Sequence, residues 1–437
     1  MTGNKGMGAA TGLSFGDAVA AVLQGARERR PRSEVVPLEQ AFGRALSQDV
    51  FSRIALPPWD NAGMDGYAVQ KADVLGATDA VPRALPVVGT SVAGADPTSL
   101  PWVQQGTAVR IMTGAPMPPG ADAVVRIEDT DGGETSVQIR HDRDVLGRGN
   151  VRPRGEDIAA NSVLFTAGTS LRASHLGALA SIGMRDVPVF AAPRVTIISS
   201  GDELVLLDRF DEVESGHRIV SSSSYALPAM LRGTGATVTM APLVHDSLDA
   251  LTQAISDALD AGCDLLVTTG GVSVGAHDYT RDALAALGGS QSFWRARIRP
   301  GGPVGTGTVR SVPWLGLPGN PVSTMVTGAL FAWPLLRALG GHAAVHHARV
   351  PVRMMDAAET PAPLTYFLRI TLHVGADGML EARLAGAQGS NLLRTMALAD
   401  ALLEVPEHVA QVEAGSVLSA LLLPDAPMLF AATERVS

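Results

Sequence analysis

Asp264-Leu-Leu-Val-Thr-Thr-Gly-Gly-Val-Ser-Val-Gly-Ala-His-Asp-Tyr-Thr280 is the stretch on which the reading of this chain turns. Residues 264–269 form a short apolar run rich in β-branched side chains, the pattern of a buried parallel strand. Gly270, Gly271 and Gly275 then let the backbone turn sharply and approach a ligand without Cβ interference. A helical pattern resumes over 279–287, with Asp278 in the N-cap position. Strand, glycine loop and helix N-terminus in succession offer N–H groups and a helix dipole to an anion, which makes Gly270, Gly271, Ser273 and Gly275 candidate phosphate-binding positions. No Gly-Lys-Ser/Thr follows, so this is not a Walker A loop, and the glycine spacing is not that of the dinucleotide fingerprint. Taken alone, the stretch also fits a tight βα turn with a capping Asp.

Its surroundings extend the pattern. From Arg194 onward strands and helices alternate, which predicts a doubly wound parallel sheet over 191–342. Strands are expected at 195–199, 238–241, 293–298 and 314–317, with helices around 225–232 and 248–259 and from 321 to about 339. Glu203, Asp246, Asp278, Arg299 and Asn320 all fall just past predicted strand ends, the edge of an open α/β sheet where ligands bind. Carboxylates gathered there suit a hard cation such as Mg²⁺ with phosphate oxygens. Arg295, Arg297 and Arg299 alternate along what reads as one strand and so share a side, either as a charge stripe or as an oxyanion clamp.

Upstream, Ser14 to Asp17 forms a capping box, with Asp for Glu, ahead of an amphipathic helix. A second helix is expected over 38–46, entered through Pro37. Residues 13–50 and 148–190, which include a helix near 173–183, are assigned to a small helical linker and dimerisation domain. Residues 51–147 read as a β domain punctuated by Pro and Gly. In Leu56-Pro-Pro-Trp-Asp-Asn-Ala-Gly-Met-Asp-Gly-Tyr-Ala-Val69 the prolines and Asx-type turn formers place Asp60 and Asp65 in a loop, a fair setting for a functional carboxylate and equally for two structural turns. Residues 347–437 read as a C-terminal β domain, strands being expected at 350–354, 366–374, 380–384 and 416–423. The fold class is therefore multidomain, α/β and β.

Composition bounds the function. The chain has 437 residues, 46% hydrophobic and 18% charged, with a formal net charge of −9, which points to a folded multidomain protein and away from nucleic acid as a partner. The one cysteine, Cys263, excludes an internal disulfide and a thiolate metal cage. No signal-peptide pattern and no apolar run of about 18 residues is read from the sequence, so the expectation is a cytoplasmic protein without a membrane partner.

Six short stretches together resemble the molybdopterin molybdenumtransferase family, the MoeA proteins and the gephyrin E domain. They are residues 60–68, Arg110-Ile-Met-Thr-Gly-Ala-Pro116, Arg154-Gly-Glu-Asp157, Ser200-Gly-Asp-Glu-Leu204, Gly270-Gly-Val-Ser-Val-Gly275 with Asp278-Tyr279, and Leu317-Pro-Gly-Asn-Pro321. The resemblance implies an elongated four-domain homodimer whose C-terminal domain is barrel-like. Its α/β domain would bind adenylylated molybdopterin, with molybdate as co-substrate, Mg²⁺ as cofactor and AMP as product. Carried over residue by residue, Asp65, Asp157, Glu203, Asp246 and Asp278 become the acidic catalytic set, with Glu203 and Asp278 as metal ligands. Gly270, Gly271, Ser273, Gly275, Arg295, Arg299, Pro318, Pro321 and Ser390 become substrate-binding residues. Hand-over of the product to molybdenum enzymes or another protein is implied as well.

The chain departs from the family pattern on the basic side. Arg299-Pro-Gly-Gly-Pro303 stands where the family shows Lys-Pro-Gly-Lys-Pro, and an expected acid-Ser/Thr-Asn step after Ile219 is the run Ser221 to Ser224. Arg and Lys are not interchangeable at a tight anion site. Three readings follow: an active insertase, an altered-substrate paralogue, and a non-catalytic dimeric scaffold.

Overall fold

The computed structural model describes residues 12–424 apart from 30, 144, 146, 272–278 and 362. The chain forms two compact units: Met1–Gln48, Ala167–Leu176 and Asp186–Ser437 make the first, Asp49–Thr166 and Gly177–Arg185 the second.

At the centre of the first unit is a six-stranded sheet of β1 (Arg194–Ser199), β2 (Thr237–Met240), β3 (Leu265–Thr269), β4 (Ser290–Phe293), β5 (Gly305–Val309) and β6 (Val312–Leu317), in the order β2-β1-β3-β6-β5-β4. The first four positions are parallel, while β5 and β4 close the edge antiparallel. Side chains alternate between two cores with the period of two that a strand dictates. Val195, Ile197, Leu265, Val267, Leu315 and Leu317 enter one core with Leu227 and Leu231 of the helix Ser223–Arg232. Ile198, Leu266 and Trp314 enter the other with Leu251, Ile255 and Leu259 of the helix Leu248–Asp260. β3 is buried along its whole length, as its unbroken apolar run requires.

The chain leaves β1 toward one core and reaches β3 from the other. The order of strands therefore reverses between β1 and β3, which opens a crevice past their C-terminal ends.

The helix Phe15–Arg27 starts as its sequence dictates: Ser14 Oγ accepts from the Asp17 N–H at 3.2 Å and donates to Asp17 Oδ2 at 2.6 Å. Its buried Ala18, Val22 and Ala26, spaced four apart, pack into the first α/β core. The expected helix over 38–46 is not formed. Ser33–Pro37 is a strand antiparallel to Asp186–Phe190, followed by a single 3₁₀ turn, Leu38–Gln40. Gly43 takes φ +76 and its N–H donates to the Leu171 carbonyl, while Ala45 and Leu46 bridge to Ser170 and Val189. Pairing with distant backbone overrides the local helical pattern.

Pro321–Leu339 is long and apolar enough by length and composition to cross a membrane, yet 83% of it is buried inside the protein. Leu330, Phe331, Leu335 and Leu336 belong to the first α/β core, so the run serves as a core helix.

Downstream, β7 (Arg349–Met354), β8 (Thr365–Val374), β9 (Leu380–Leu384), β10 (Ala401–Val405) and β11 (Val417–Leu422) close into a five-stranded barrel through the pairs β8–β9, β9–β7, β7–β11, β11–β10 and β10–β8. β10, which closes it, is absent from the sequence reading because Ala-Leu-Leu-Glu is a strong helix-forming string. Phe367, Leu402 and Leu421 face out of the barrel into the first α/β core, and Phe15 meets Phe367 edge-on at 4.8 Å.

In the second unit a five-stranded sheet orders Ala123–Arg126, Gly66–Val69, Ala108–Ile111, Arg83–Ser91 and Ser136–Ile139. Tyr67 and Val69 face one small core, Ala68 the other.

Candidate active site

The crevice between β1 and β3 opens into a cleft of about 420 Å³ at the C-terminal edge of the central sheet. Each wall is a loop leaving a strand. Ser200, Gly201 and Glu203 follow β1, Asp246 lies beyond β2, Gly270 and Gly271 follow β3, and Pro318 to Pro321 follow β6. A two-residue ribbon, Leu204–Val205 beside Ile219–Val220, brings Ser221, Ser222 and Ser223 to the same wall.

The glycines are required where they stand. Gly270 has φ +86, and a Cβ there would lie 3.0 Å from the Ser200 carbonyl oxygen. At Gly201, φ +154, a Cβ would meet Glu203 Oε2 at 2.8 Å. The Pro318–Pro321 loop is held from below, since Thr324 Oγ1 donates to the Pro318 carbonyl at 2.6 Å. Pro321 then occupies the first helical position, where a missing N–H costs nothing. Ser390 reaches this loop from the barrel side: its carbonyl accepts from the Val322 N–H at 3.2 Å and its Oγ accepts from Asn320 Nδ2 at 3.4 Å. Arg369 fixes the segment ahead of Ser390, donating to the Ala387 and Gly389 carbonyls at 3.0 and 3.1 Å. Burial pushes the pKa of that guanidinium down.

Glu203, Asp246, Gly270, Gly271, Pro318 and Pro321 thus line one cleft, with Ser390 bonded to its rim. Ser273, Gly275 and Asp278 lie outside the described residues, and with them the second expected metal ligand beside Glu203. Asp65 and Asp157 belong to the second unit. There the Thr113 side chain and N–H both donate to Asp65 Oδ1 at 2.6 Å, holding its carboxyl below the usual carboxylate range. The Asp157 N–H donates to the Leu56 carbonyl at 3.0 Å.

The arginines differ from expectation. Arg295, Arg297 and Arg299 do not share one strand, because the chain passes from one sheet to another within that segment. β4 ends at Phe293, Trp294 stacks on Trp314 at 5.4 Å, and Ile298–Arg299 pairs with the start of β8 in the barrel. Arg297 donates to the Gly12 carbonyl and to Glu407, and Arg299 lies over the Tyr366 ring at 5.7 Å. Arg295 is exposed, and none of the three lines the cleft.

Two features escape sequence reasoning. A chain of hydroxyls runs beneath the cleft, and Asp202 Oδ1 is 2.9 Å from His245 Nδ1 while accepting from the Asp246 N–H at 3.3 Å. The His245 contact, followed by that N–H, holds the Asp202 carboxyl below its ordinary range. The signal for the first was the clustering of Ser and Thr at strand ends, in Ser199-Ser200, Thr268-Thr269 and Ser221 to Ser224.

Among the described residues no three His, Cys, Asp or Glu side chains converge as a metal cage. Glu203 and Asp246 in one cleft nonetheless fit Mg²⁺, which takes one or two carboxylates and completes its octahedron with water and substrate phosphate.

Comparison with known proteins identifies the family. The model of the MoeA N-terminal region (domain I and II) matches residues 13–183, that of a probable molybdopterin binding domain 196–338, and that of the MoeA C-terminal region (domain IV) 351–423. Molybdopterin molybdenumtransferase 2 of Mycobacterium tuberculosis is 37% identical over 396 residues, covering 89% of this chain and 95% of that protein. The molybdopterin molybdenumtransferase of Nostoc sp. is 36% identical, covering 90% and 89%. The crystal structure of the molybdopterin biosynthesis MoeA protein of Pyrococcus horikoshii OT3 superposes with a TM-score of 0.78 at 25% identity, over 94% of this chain and 100% of that one. With relatives this similar along nearly their whole length, the chain belongs to the molybdopterin molybdenumtransferase (MoeA) family.

Proposed function

We propose that this protein is a molybdopterin molybdenumtransferase of molybdenum cofactor biosynthesis, and that its cleft receives an adenylylated molybdopterin together with molybdate. The observation that carries the reading is the convergence of Glu203, Asp246 and the Gly270-Gly271 turn on one strand-end cleft in a chain 37% identical to a protein of that name.

The chemistry suits these residues. Cleaving a phosphoanhydride needs charge on the phosphate oxygens neutralised and an oxygen nucleophile oriented toward phosphorus. Glu203, with Asp278, would hold Mg²⁺. When bound, that ion supplies charge neutralisation and orientation of the attacking oxygen. The glycines would bring backbone close to the phosphates, and Asp246 lines the same cleft from beyond β2. AMP departs, and molybdenum passes to the dithiolene of the pterin, whose soft sulfurs bind it without help from cysteine. Cys263 is accordingly buried, and burial pushes its thiol pKa up.

A homodimer, a cytoplasmic location and hand-over of the product to molybdenum enzymes or another protein partner complete the proposal, on the strength of the resemblance. Sedimentation of the purified chain tests the dimer. The activity is tested by AMP release from adenylylated molybdopterin with Mg²⁺, with and without molybdate. Molybdate-dependent release is expected. Release with tungstate alone would change the metal and keep the chemistry, and nucleotide binding without release would overturn the assignment. No observation favours the altered-substrate or scaffold readings.

A further inference from the structure

How an anion is held in this cleft is a question of charge. Glu203 and Asp246 line it, and among the described residues no Lys, Arg or His does. What the lining offers instead is hydroxyls: Ser200, Ser221, Ser222, Ser223 and Thr269.

These fall into two sets. Ser221 Oγ lies 2.7 Å from Ser224 Oγ, Ser224 Oγ 3.5 Å from Ser199 Oγ, and Ser199 Oγ 2.8 Å from Thr269 Oγ1. Ser223 Oγ donates to Thr324 Oγ1 at 3.4 Å. Those side chains satisfy one another in a layer that joins the ends of β1 and β3 to the helix Ser223–Arg232. Ser200 and Ser222 are the exceptions, for neither hydroxyl has a hydrogen-bond partner among the described residues. Ser200 is only 8% exposed and Ser222 half-buried. Neither Oγ is among the buried polar atoms left without a partner, so both hydroxyls open onto the cleft they line, where a ligand oxygen can take the place of water. Ser222 also stands at the N-terminus of the ten-residue helix Ser223–Arg232 and makes no side-chain cap to it. The hydroxyl therefore remains available where the helix dipole is positive.

We infer that Ser200 and Ser222 donate to the phosphate oxygens of the nucleotide portion of the substrate, so that among the described lining residues neutral donors and a helix dipole do the work that Lys or Arg would otherwise do. The inference rests on the cleft being the nucleotide-phosphate site. It also accounts for the serine run, since a carboxylate at Ser221 would add a third negative charge to a wall on which no described Lys, Arg or His stands.

The test is calorimetric titration of AMP and of inorganic pyrophosphate into the full chain with Mg²⁺. Ser222→Ala and Ser200→Ala should each weaken binding by about tenfold or more, the loss expected of one hydrogen bond to a charged group. Ser222→Thr, which keeps the hydroxyl, should bind as wild type, and so should Ser215→Ala on the exposed surface. In turnover the alanine variants should raise KM and spare kcat.

Unchanged affinity in both alanine variants overturns the inference. So does an absence of binding of either probe. If Ser200→Ala fails to fold, the Ser222→Ala and Ser222→Thr pair decides the matter. Serine-dependent binding without AMP release would leave this inference standing and sink the insertase assignment; AMP release with serine-independent binding would do the reverse.

Discussion

The two edges of the central sheet carry opposite chemistry. At the C-terminal edge Glu203 and Asp246 line a cleft and form no salt bridge with any described residue. At the N-terminal edge Asp264, one residue before β3, sits among three arginines. It accepts from the Arg194 N–H at 2.9 Å and Nε at 3.3 Å, and lies 3.4 Å from Arg32 and 3.8 Å from Arg29. Arg29 also donates to the Asp264 carbonyl at 2.9 Å. Both edges place charge at strand termini of one sheet, but Asp264 shares three arginines while Glu203 and Asp246 have no salt-bridge partner among the described residues. Paired charges there tie the end of the helix Phe15–Arg27 to the sheet, while carboxylates left without a cation on a concave edge are what a metal and a phosphate would complete.

The most severe way to break this contrast is Glu203→Gln. Turnover should fall by about 100-fold or more, the scale of losing a metal-held charge, while the urea midpoint of unfolding stays where it is. A drop in that midpoint with activity intact would make Glu203 a scaffold residue and erase the distinction.

The next effect is read from pH. His342 follows Leu339, which lines a small pocket beside Asp264. Burial, reinforced by Arg337, pushes the His342 pKa down from 6.5 to about 4, and Ser170 Oγ lies 2.8 Å from its Nδ1. As pH falls, the unfolded chain takes up this proton before the folded one does. The stabilisation is therefore complete above about pH 6.5 and is lost on the way down to about pH 4, amounting to about 3 kcal/mol. Urea unfolding at stepped pH should show that slope in wild type and lose it in His342→Gln. Equal slopes in the two would place the acid sensitivity elsewhere.

What the sequence makes legible follows the same division. Glu203, Asp246 and Asn320 could be placed together because strand-end position converts order along the chain into location in space. The burial of β3 was legible too, since its unbroken apolar run marks a strand covered on both faces. The failures share a cause. Gly43, the strand Ala401–Val405 and the Arg295 to Arg299 segment are each decided by a partner far along the chain, which local propensity does not see. The hydroxyl layer fails for the same reason: Ser199 meets Thr269 across 70 residues and Ser223 meets Thr324 across 101.

Asp264→Asn gives the smallest effect and the sharpest test of the scaffold edge. The substitution keeps shape and removes the charge that three guanidiniums share. The side chains of Arg29, Arg32 and Arg194 are 34%, 61% and 47% exposed, so water takes over much of what the carboxylate did, and the amide oxygen can still accept from the Arg194 N–H. The cost should therefore be about 1–2 kcal/mol, well short of breaking a dry ion pair. It should appear in the urea midpoint, with AMP release per folded molecule unchanged. If AMP release fell instead while the midpoint held, the two edges would be coupled through β3, whose ends both lie at charged sites, and the separation of scaffold charge from cleft charge would have to be abandoned.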